Sequence, residues 1–403
     1  MPCGGSCRSP FASRPPRQAI FSSVVTFFHA RLRRPRTALC LGLLLLKVGT
    51  LAMASSHLIF LGTYTRTTSR GIYAVRLDDE TGLLSSPVLA AAATNPAWIT
   101  LTPDRKYLYA IHPSKAQAIG FAVDGTQGIL SPLPAAAAAE TAAPSHLAVD
   151  ASGRTLLAAN YADGYVAAMP IRADGTLGTP TLTPHSGKGP HPTRQDKPHV
   201  HSVTLAPDNR HVIVCDLGLD KIFSYALDPA AASLTLAQPS FVATAAGAGP
   251  RHFKFGAAGR HAYAINELNN TVNVYDYDAT RGTLTERQSL GTLPAGFTGS
   301  NSTAEIRVHP NGRFVYGSNR GHDSIAVFSV NPSDGSLTPV EIAPTGGKVP
   351  RNFALSPNGK WLVCAHQDSG NLTVFRVDPA TGRLTPAGNT ADVPMTVCVL
   401  FYD

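Results

Sequence analysis

A repeated β-hairpin runs through the chain and constrains its fold more than any other feature of the sequence. Each copy has an apolar strand, a turn that ends in a basic residue, and a second apolar strand, as in ITLTPDRKYLYAI and IRVHPNGRFVYGSN. Six copies occur, 47 to 56 residues apart, with their basic residues at Lys106, Arg154, Arg210, Arg260, Arg313 and Lys360. Such a period indicates an array of similar units rather than one irregular core.

A second element follows each hairpin. It is a strand, an acidic or Asn-bearing turn and Gly-x-Leu, and it occurs seven times, for example as VNVYDYDATRGTL. The fourth copy, IFSYALDPAAASLTL, lacks the glycine. Alternating apolar positions bounded by Gly and Asp turns predict strands and hairpins. Four strands in a period of about 50 residues predict the blades of a β-propeller.

The two ends of the repeated region predict how the ring closes. The region begins with HLIFLGTYT, which matches the second strand of a hairpin, and ends with VPMTVCVLFYD, which matches a first strand. Pairing them completes a seventh blade and removes the exposed sheet edges. We therefore expect an all-β fold, a seven-bladed β-propeller of four-stranded antiparallel blades, closed by pairing the C-terminal strand with the N-terminal blade. The predicted domain is 57–403, and 1–56 is a leader outside the fold.

The leader holds the charge imbalance of the chain. Residues 1–56 carry eight basic residues and no acidic one, which leaves 26 basic and 26 acidic residues in the rest. A neutral body lacks the broad basic surface that binds a nucleic-acid backbone, so no nucleic-acid partner is expected. Segment 31–54 resembles a signal peptide, and its apolar part is too short for a membrane span. The protein is exported if this segment is a signal, and cytoplasmic if translation starts at Met53.

Three cysteines lie in the leader and three lie inside apolar runs of the repeated region: Cys215, Cys364 and Cys398. Their spacing fits neither a disulfide framework nor a zinc site. We expect the last three to be small buried apolar residues.

Unusual polar residues collect in two sets of loops, those that enter the first strands of the hairpins and those that leave the second strands. Both sets lie on one face of a propeller, and the first strands line its central channel. Several histidines, arginines and a glutamate are therefore expected around one axial pocket: His146, His199, His201, Arg251, His252, Glu267, Arg320 and Arg351. Binding groups on loops held by a rigid scaffold are a common functional arrangement.

The chemistry of these residues leaves several interpretations open. His199 and His201 are two residues apart, so they could bind a metal, act on a substrate, or simply begin a strand. No further cluster has metal-ligand spacing, so no metal is expected. Arg251 and Arg320 suit an anionic ligand, because a guanidinium binds carboxylate or phosphate through two hydrogen bonds, but salt bridges between blades are the alternative. Glu267 is either a solvated loop carboxylate or part of the site. Three aspartates are expected to brace loops rather than react: Asp216, Asp220 and Asp323.

A set of short segments, each weak alone, is specific when taken together: LGTYT (61–65), GIY (71–73), PHVHS (198–202), DLGLDK (216–221), GPRHF (249–253), NE (266–267), SNRGHDSI (318–325) and PRNF (350–353). They resemble the bacterial-type 6-phosphogluconolactonase family, the seven-bladed propeller lactonases that also include fungal muconate-lactonising enzymes. The resemblance covers the chain from His57 onward. The departures are the leader, the missing glycine of the fourth turn, and an Ala-rich insertion at 135–143.

The resemblance implies a site made of one histidine, two arginines and a glutamate. It places the histidine at His201 or His199, with His201 favoured, and the others at Arg251, Glu267 and Arg320. Four neighbours are expected to bind substrate: His199, His252, Arg351 and Asn319. A structural role is the alternative for Arg351, which occupies the repeat position of Arg251. We expect a sugar lactone as the small-molecule substrate, no cofactor, no stable membrane span in the folded domain, and a monomer.

The favoured function is hydrolysis of a sugar lactone, first of all 6-phosphogluconolactone to 6-phosphogluconate in the pentose phosphate pathway. His201 or Glu267 acts as general base on water, while Arg251 and Arg320 stabilise the oxyanion and hold the acid or phosphate group. Export of the protein would favour another lactone. A muconate-type lactonising cycloisomerase and a non-catalytic propeller that binds a ligand or a protein are the alternatives, since fold does not fix function.

Overall fold

The strands of the protein form seven four-stranded antiparallel sheets. The computed structural model describes residues 55–112, 118–134 and 144–402. Blade 1 has the strand order β28-β1-β2-β3, and each other blade uses four consecutive strands. Blade 1 consists of β1 (Ser56–Thr63), β2 (Gly71–Asp78), β3 (Val88–Ala92) and β28 (Thr396–Phe401), and blade 2 consists of β4 (Ile99–Leu101), β5 (Tyr107–Ile111), β6 (Ala118–Asp124) and β7 (Ile129–Pro132). Blade 3 consists of β8 (His146–Val149), β9 (Thr155–Asn160), β10 (Tyr165–Pro170) and β11 (Thr181–Pro184), and blade 4 consists of β12 (Val200–Leu205), β13 (His211–Asp216), β14 (Lys221–Asp228) and β15 (Ser233–Ala243).

Blade 5 consists of β16 (Pro250–Phe255), β17 (His261–Asn266), β18 (Thr271–Asp278) and β19 (Thr283–Gly291). Blade 6 consists of β20 (Ser302–Val308), β21 (Phe314–Arg320), β22 (Ser324–Val330) and β23 (Leu337–Pro344). Blade 7 consists of β24 (Pro350–Leu355), β25 (Trp361–His366), β26 (Asn371–Val377) and β27 (Leu384–Asp392). None of the described residues belongs to a helix long and apolar enough to cross a membrane. The predicted seven-bladed propeller is therefore confirmed.

The ring closes as the sequence predicts. β28 pairs antiparallel with β1, with Ile59 opposite Phe401 and Leu61 opposite Val399. The first described strand begins at Ser56. Residues 1–54 of the leader and the Ala-rich insertion 135–143 lie outside the described residues, so the division of the chain at residue 56 stays a prediction.

Apolar side chains hold neighbouring blades together. Between blades 3 and 4, for example, Leu157 and Val166 pack with Val203, Val214 and Tyr225, and all five are buried. Burying one large apolar side chain contributes about 1.5–3 kcal/mol. The inner and middle strands are therefore the rigid part of each blade, and their ends are well suited to hold a site. Cys215, Cys364 and Cys398 are free and buried in these layers, as predicted.

The turn of the Gly-x-Leu element has a left-handed backbone in every blade. In six blades its residue is a glycine with φ between 68° and 80°. In blade 4 the same position is Ala232, with φ 47°. The turn therefore keeps its shape without the glycine, at the cost of a conformation that a residue with a Cβ atom adopts less readily.

Candidate active site

Three inner strands, β12, β16 and β24, each contain a β-bulge at the same position, close to the start of the strand. The three strands start on the same face of the ring. The residue left out of the pairing is His201 in β12, Arg251 in β16 and Arg351 in β24. A bulge bends its strand and re-aims a side chain, and bulges are frequent beside active sites. All three side chains line the same axial cavity.

Glu267 directly follows β17 and is surrounded by three guanidinium groups. Arg251 Nε donates a hydrogen bond to Glu267 Oε2 at 2.8 Å, and Arg320 Nη2 lies 3.0 Å from the same oxygen. Arg194 Nη2 donates to the other oxygen, Oε1. Burial raises the pKa of Glu267, but these positive charges outweigh it and hold that pKa well below its ordinary value. Glu267 is therefore an ionised anchor for the arginines.

His201 lies beside this cluster in a different electrostatic environment. Its side chain is buried, and its Nε2 lies 4.0 Å from Glu267 Oε2. Burial, with the nearby Arg251 and His252, lowers the pKa of His201 well below its ordinary value, so the imidazole is neutral at pH 7. Its Nδ1 has no hydrogen-bond partner among the described residues. Buried polar atoms without a partner are uncommon, so this nitrogen marks His201 as a candidate for a role other than holding the fold together.

The cavity has a volume of about 220 Å³ and one aromatic side. The rings of Trp98 and His146 are 4.0 Å apart, and His252 lies 5.3 Å from Trp98. Trp98 and His252 line the cavity, and we call them the aromatic floor; His146 packs against both rings without lining the cavity. Burial lowers the pKa of both histidines well below the ordinary value, so the floor is uncharged at neutral pH. It offers an apolar surface to a ligand held by the arginines.

The structure brings most of the predicted residues together. His201, Arg251, His252 and Arg351 line the cavity, and Glu267 and Arg320 lie against Arg251.

Two predicted substrate-binding residues are placed elsewhere. The ring of His199 stacks on Tyr161 at 4.3 Å, and its Nδ1 lies 2.9 Å from the Tyr161 carbonyl oxygen. Asn319 is fully buried, and its amide is occupied by Thr292 and Ser324. Neither side chain lines the cavity, so a role of either in binding substrate stays a prediction.

Six residues of the site were not predicted: Tyr64, Arg66, Asn95, Trp98, Tyr161 and Arg194. Arg194 comes from the long loop 185–199 before β12, and its side chain is 38% exposed while it reaches the buried Glu267. Tyr161 contacts both His199 and His201. The length of the loop and its many polar residues are the sequence signals for Arg194, since long loops in compact domains are often functional.

Aspartates fix the loops of the site, as predicted; Asp216 and Asp220 are buried and Asp323 is half-buried. Asp216 accepts hydrogen bonds from the backbone N–H of His199 at 2.8 Å and of Gly218 at 3.0 Å. Asp220 accepts one from Gln195 Nε2 at 2.6 Å, so it holds the loop that carries Arg194. Asp323 accepts one from the backbone N–H of Val349 at 2.9 Å. In the described part of the chain, no group of three or more His, Cys, Asp or Glu side chains is arranged to hold a metal ion.

Comparison with known proteins gives the family. The model of a family described as lactonase, 7-bladed β-propeller, matches residues 58–401. The chain belongs to this lactonase family. The predicted resemblance is therefore confirmed, and it extends over both the ring and the cavity of the lactonase.

Named relatives support the same assignment. The lactonase is 38% identical to a 6-phosphogluconolactonase of Bacillus subtilis over 350 residues, which is 86% of this chain and 99% of the relative. It is 34% identical to a 6-phosphogluconolactonase of Pectobacterium carotovorum over 62% of this chain and 72% of the relative. The solved structure of a periplasmic gluconolactonase of Pseudomonas aeruginosa superimposes with a TM-score of 0.81 and 33% identity, over 86% of this chain and 99% of that one.

Proposed function

We propose that the protein hydrolyses the ester bond of 6-phosphogluconolactone, with His201 as the general base. The observation that carries this proposal is a neutral, buried imidazole that faces the cavity beside arginines already fixed by Glu267. The names of the Bacillus and Pectobacterium relatives support the substrate.

Each step of the reaction has a residue placed to assist it. His201 takes a proton from water as the water oxygen bonds to the carbonyl carbon of the lactone. The carbonyl oxygen becomes negative and is stabilised by guanidinium N–H groups of Arg251, which lines the cavity, while Arg320 adds positive charge beside Glu267. The bond between that carbon and the ring oxygen then breaks, and the protonated His201 returns its proton to the ring oxygen, which becomes a hydroxyl.

Glu267 supports this reaction without exchanging a proton. Its low pKa makes it a poor base at neutral pH, while its two oxygens fix the guanidinium groups before substrate binds. Groups fixed in advance stabilise a developing charge without reorganising during the reaction. The low pKa of Glu267 supports His201 as the general base in this proposal.

The test compares turnover of 6-phosphogluconolactone, corrected for uncatalysed hydrolysis, in the wild type and His201→Gln. We expect kcat to fall by about 10²–10⁴-fold, the usual contribution of a general base. The control is His261→Gln. His261 is the first residue of β17, at the other end of that strand from Glu267, so this change should leave kcat unchanged. Full activity of His201→Gln would remove the assignment of the base. A wild type that converts a muconate but no lactone would favour the cycloisomerase instead.

A further inference from the structure

The cavity carries more positive charge than hydrolysis of a neutral lactone requires. Among the described residues, its lining includes Arg66, Arg251 and Arg351 and contains no Asp or Glu. Arg251 is compensated by Glu267. Within the described chain, neither Arg66 nor Arg351 has a carboxylate at ion-pair distance, and the contact recorded for each is the ring of Tyr64.

The ring of Tyr64 contacts both arginines. The guanidinium carbon of Arg66 lies 4.4 Å from the centroid of the Tyr64 ring, and that of Arg351 lies 5.8 Å from it. An aromatic ring attracts a guanidinium and contacts its flat face, which leaves the in-plane N–H donors free. Two like charges beside one ring repel each other unless an anion lies between them. The arrangement is therefore suited to a ligand that accepts several hydrogen bonds and carries negative charge.

Hydrogen bonds fix the backbone at Tyr64 and at the next residue, Thr65. Tyr64 N–H donates to the carbonyl oxygen of Met395 at 3.0 Å, and Thr65 N–H donates to Asn95 Oδ1 at 2.8 Å. Asn95 itself lines the cavity and has a left-handed backbone, with φ 46°. Strained residues of this kind cluster at ligand sites, where the surrounding structure maintains them.

We propose that Arg66 and Arg351, positioned by Tyr64, bind the phosphate group of a phosphorylated sugar lactone, while His201 and Arg251 act at its ester. This inference rests on the proposed function and names the residues that recognise the phosphate of its substrate. The lactone ring is uncharged, so the anion that this cluster attracts must be a substituent of the sugar. A phosphate ester carries about −1.5 to −2 charges at pH 7 and three acceptor oxygens, which matches two unpaired guanidiniums.

The test measures kcat/KM for 6-phosphogluconolactone and for unphosphorylated gluconolactone in the wild type, Arg66→Gln and Arg351→Gln. We expect each variant to lose roughly 10–100-fold with the phosphorylated lactone, mainly through KM, because a hydrogen bond to a charged group contributes about 1.5–3 kcal/mol. The unphosphorylated lactone should change less than about threefold, since it makes no such bond. Arg70→Gln is the matched control, because Arg70 is exposed in the same loop and does not line the cavity.

Tyr64 provides a second, independent test. Tyr64→Leu removes the ring and should lower kcat/KM for the phosphorylated lactone only, whereas Tyr64→Phe keeps the ring and should behave like the wild type. Equal losses with both lactones, or no loss with either, would overturn the phosphate site and leave lactone hydrolysis standing. If the wild type hydrolyses neither lactone, the proposed function fails. Calorimetry with 6-phosphogluconate and gluconate then decides the phosphate site: equal affinities overturn it, and a preference for 6-phosphogluconate that is lost in Arg351→Gln supports it.

Discussion

Replacing Glu267 with Gln tests whether one carboxylate organises the site. Glutamine has the same shape but no charge, and its amide nitrogen cannot accept a hydrogen bond from an arginine. The change therefore leaves Arg251 and Arg320, both largely buried, close together without their counter-ion. Arg194, which reaches the same carboxylate from the loop 185–199, loses its partner as well.

The size of the effect follows from burial. Removing one partner of a buried ion pair costs about 3–5 kcal/mol, because a charge stays buried without compensation. The side chains of Arg251 and Glu267 are only 3% and 6% exposed, so solvent screens the pair little. In a domain of this size each kcal/mol changes the melting temperature by roughly 2 °C, so we expect Tm to fall by roughly 5–10 °C. Activity should fall with it, because the guanidinium groups lose their fixed positions.

Thermal unfolding of wild type and variant between pH 3 and pH 8 measures this contribution. The low pKa of Glu267 means that its stabilisation is complete above about pH 4.3, the pKa of an unfolded glutamate. The stabilisation is lost as pH falls through the lower pKa of the folded state. The gap in Tm should therefore be constant from pH 5 to pH 8 and narrow only in acid. The matched control is Glu286→Gln on the exposed part of β19, which should leave Tm unchanged. A gap at pH 7 no larger than that of the control would refute the reasoning.

Three further predictions concern proton transfer, a turn and the thiols. Since burial lowers the pKa of His201 below the ordinary value of about 6.5, His201 stays neutral in weak acid. The acid limb of the kcat/KM profile should therefore lie below pH 6.5, and a limb centred above pH 7 would contradict this. Ala232→Gly should stabilise the protein by about 0.5–1 kcal/mol, which is the relief of left-handed strain less the added freedom of the unfolded chain. Urea unfolding checks this against Ala230→Gly in the same turn, for which no gain is expected. Burial raises the pKa of Cys215 and Cys398 to about 12, so neither should react with a thiol reagent at pH 8 before unfolding, as peptide mapping can verify.

The ring and the face of the site could be predicted because they depend on local patterns. Every blade repeats the same alternation and the same turns, and the unmatched strands at the two ends of the repeat leave one way to close the ring. The same repeat phase places residues such as Arg251 and Glu267 on one face. These inferences need no knowledge of side-chain direction beyond the period of a strand.

The direction of individual side chains was harder to predict. Neighbours on a strand point to opposite faces, so Asn319 and Arg320 cannot both face the cavity, and the sequence does not say which one does. The bulge at His201 re-aims that side chain, while His199, two residues earlier, instead stacks on Tyr161. Arg194 depends on the folding of the loop 185–199, and the meeting of Tyr64 with Arg351 depends on contacts between distant parts of the chain.

The closure of blade 1 determines when the protein can work during its own synthesis. The ribosome completes β12 to β21, with His201, Glu267 and Arg320, well before it makes β28. Until β28 emerges, β1 remains an edge strand with unpaired backbone groups, which is a hazard for aggregation in the nascent chain. Tyr64 follows β1 and Arg351 lies in β24, so β28, the last strand to be synthesised, lies between them. A chain that stalls before β28 therefore contains every residue of the proposed phosphate site but has no closed ring to hold them together.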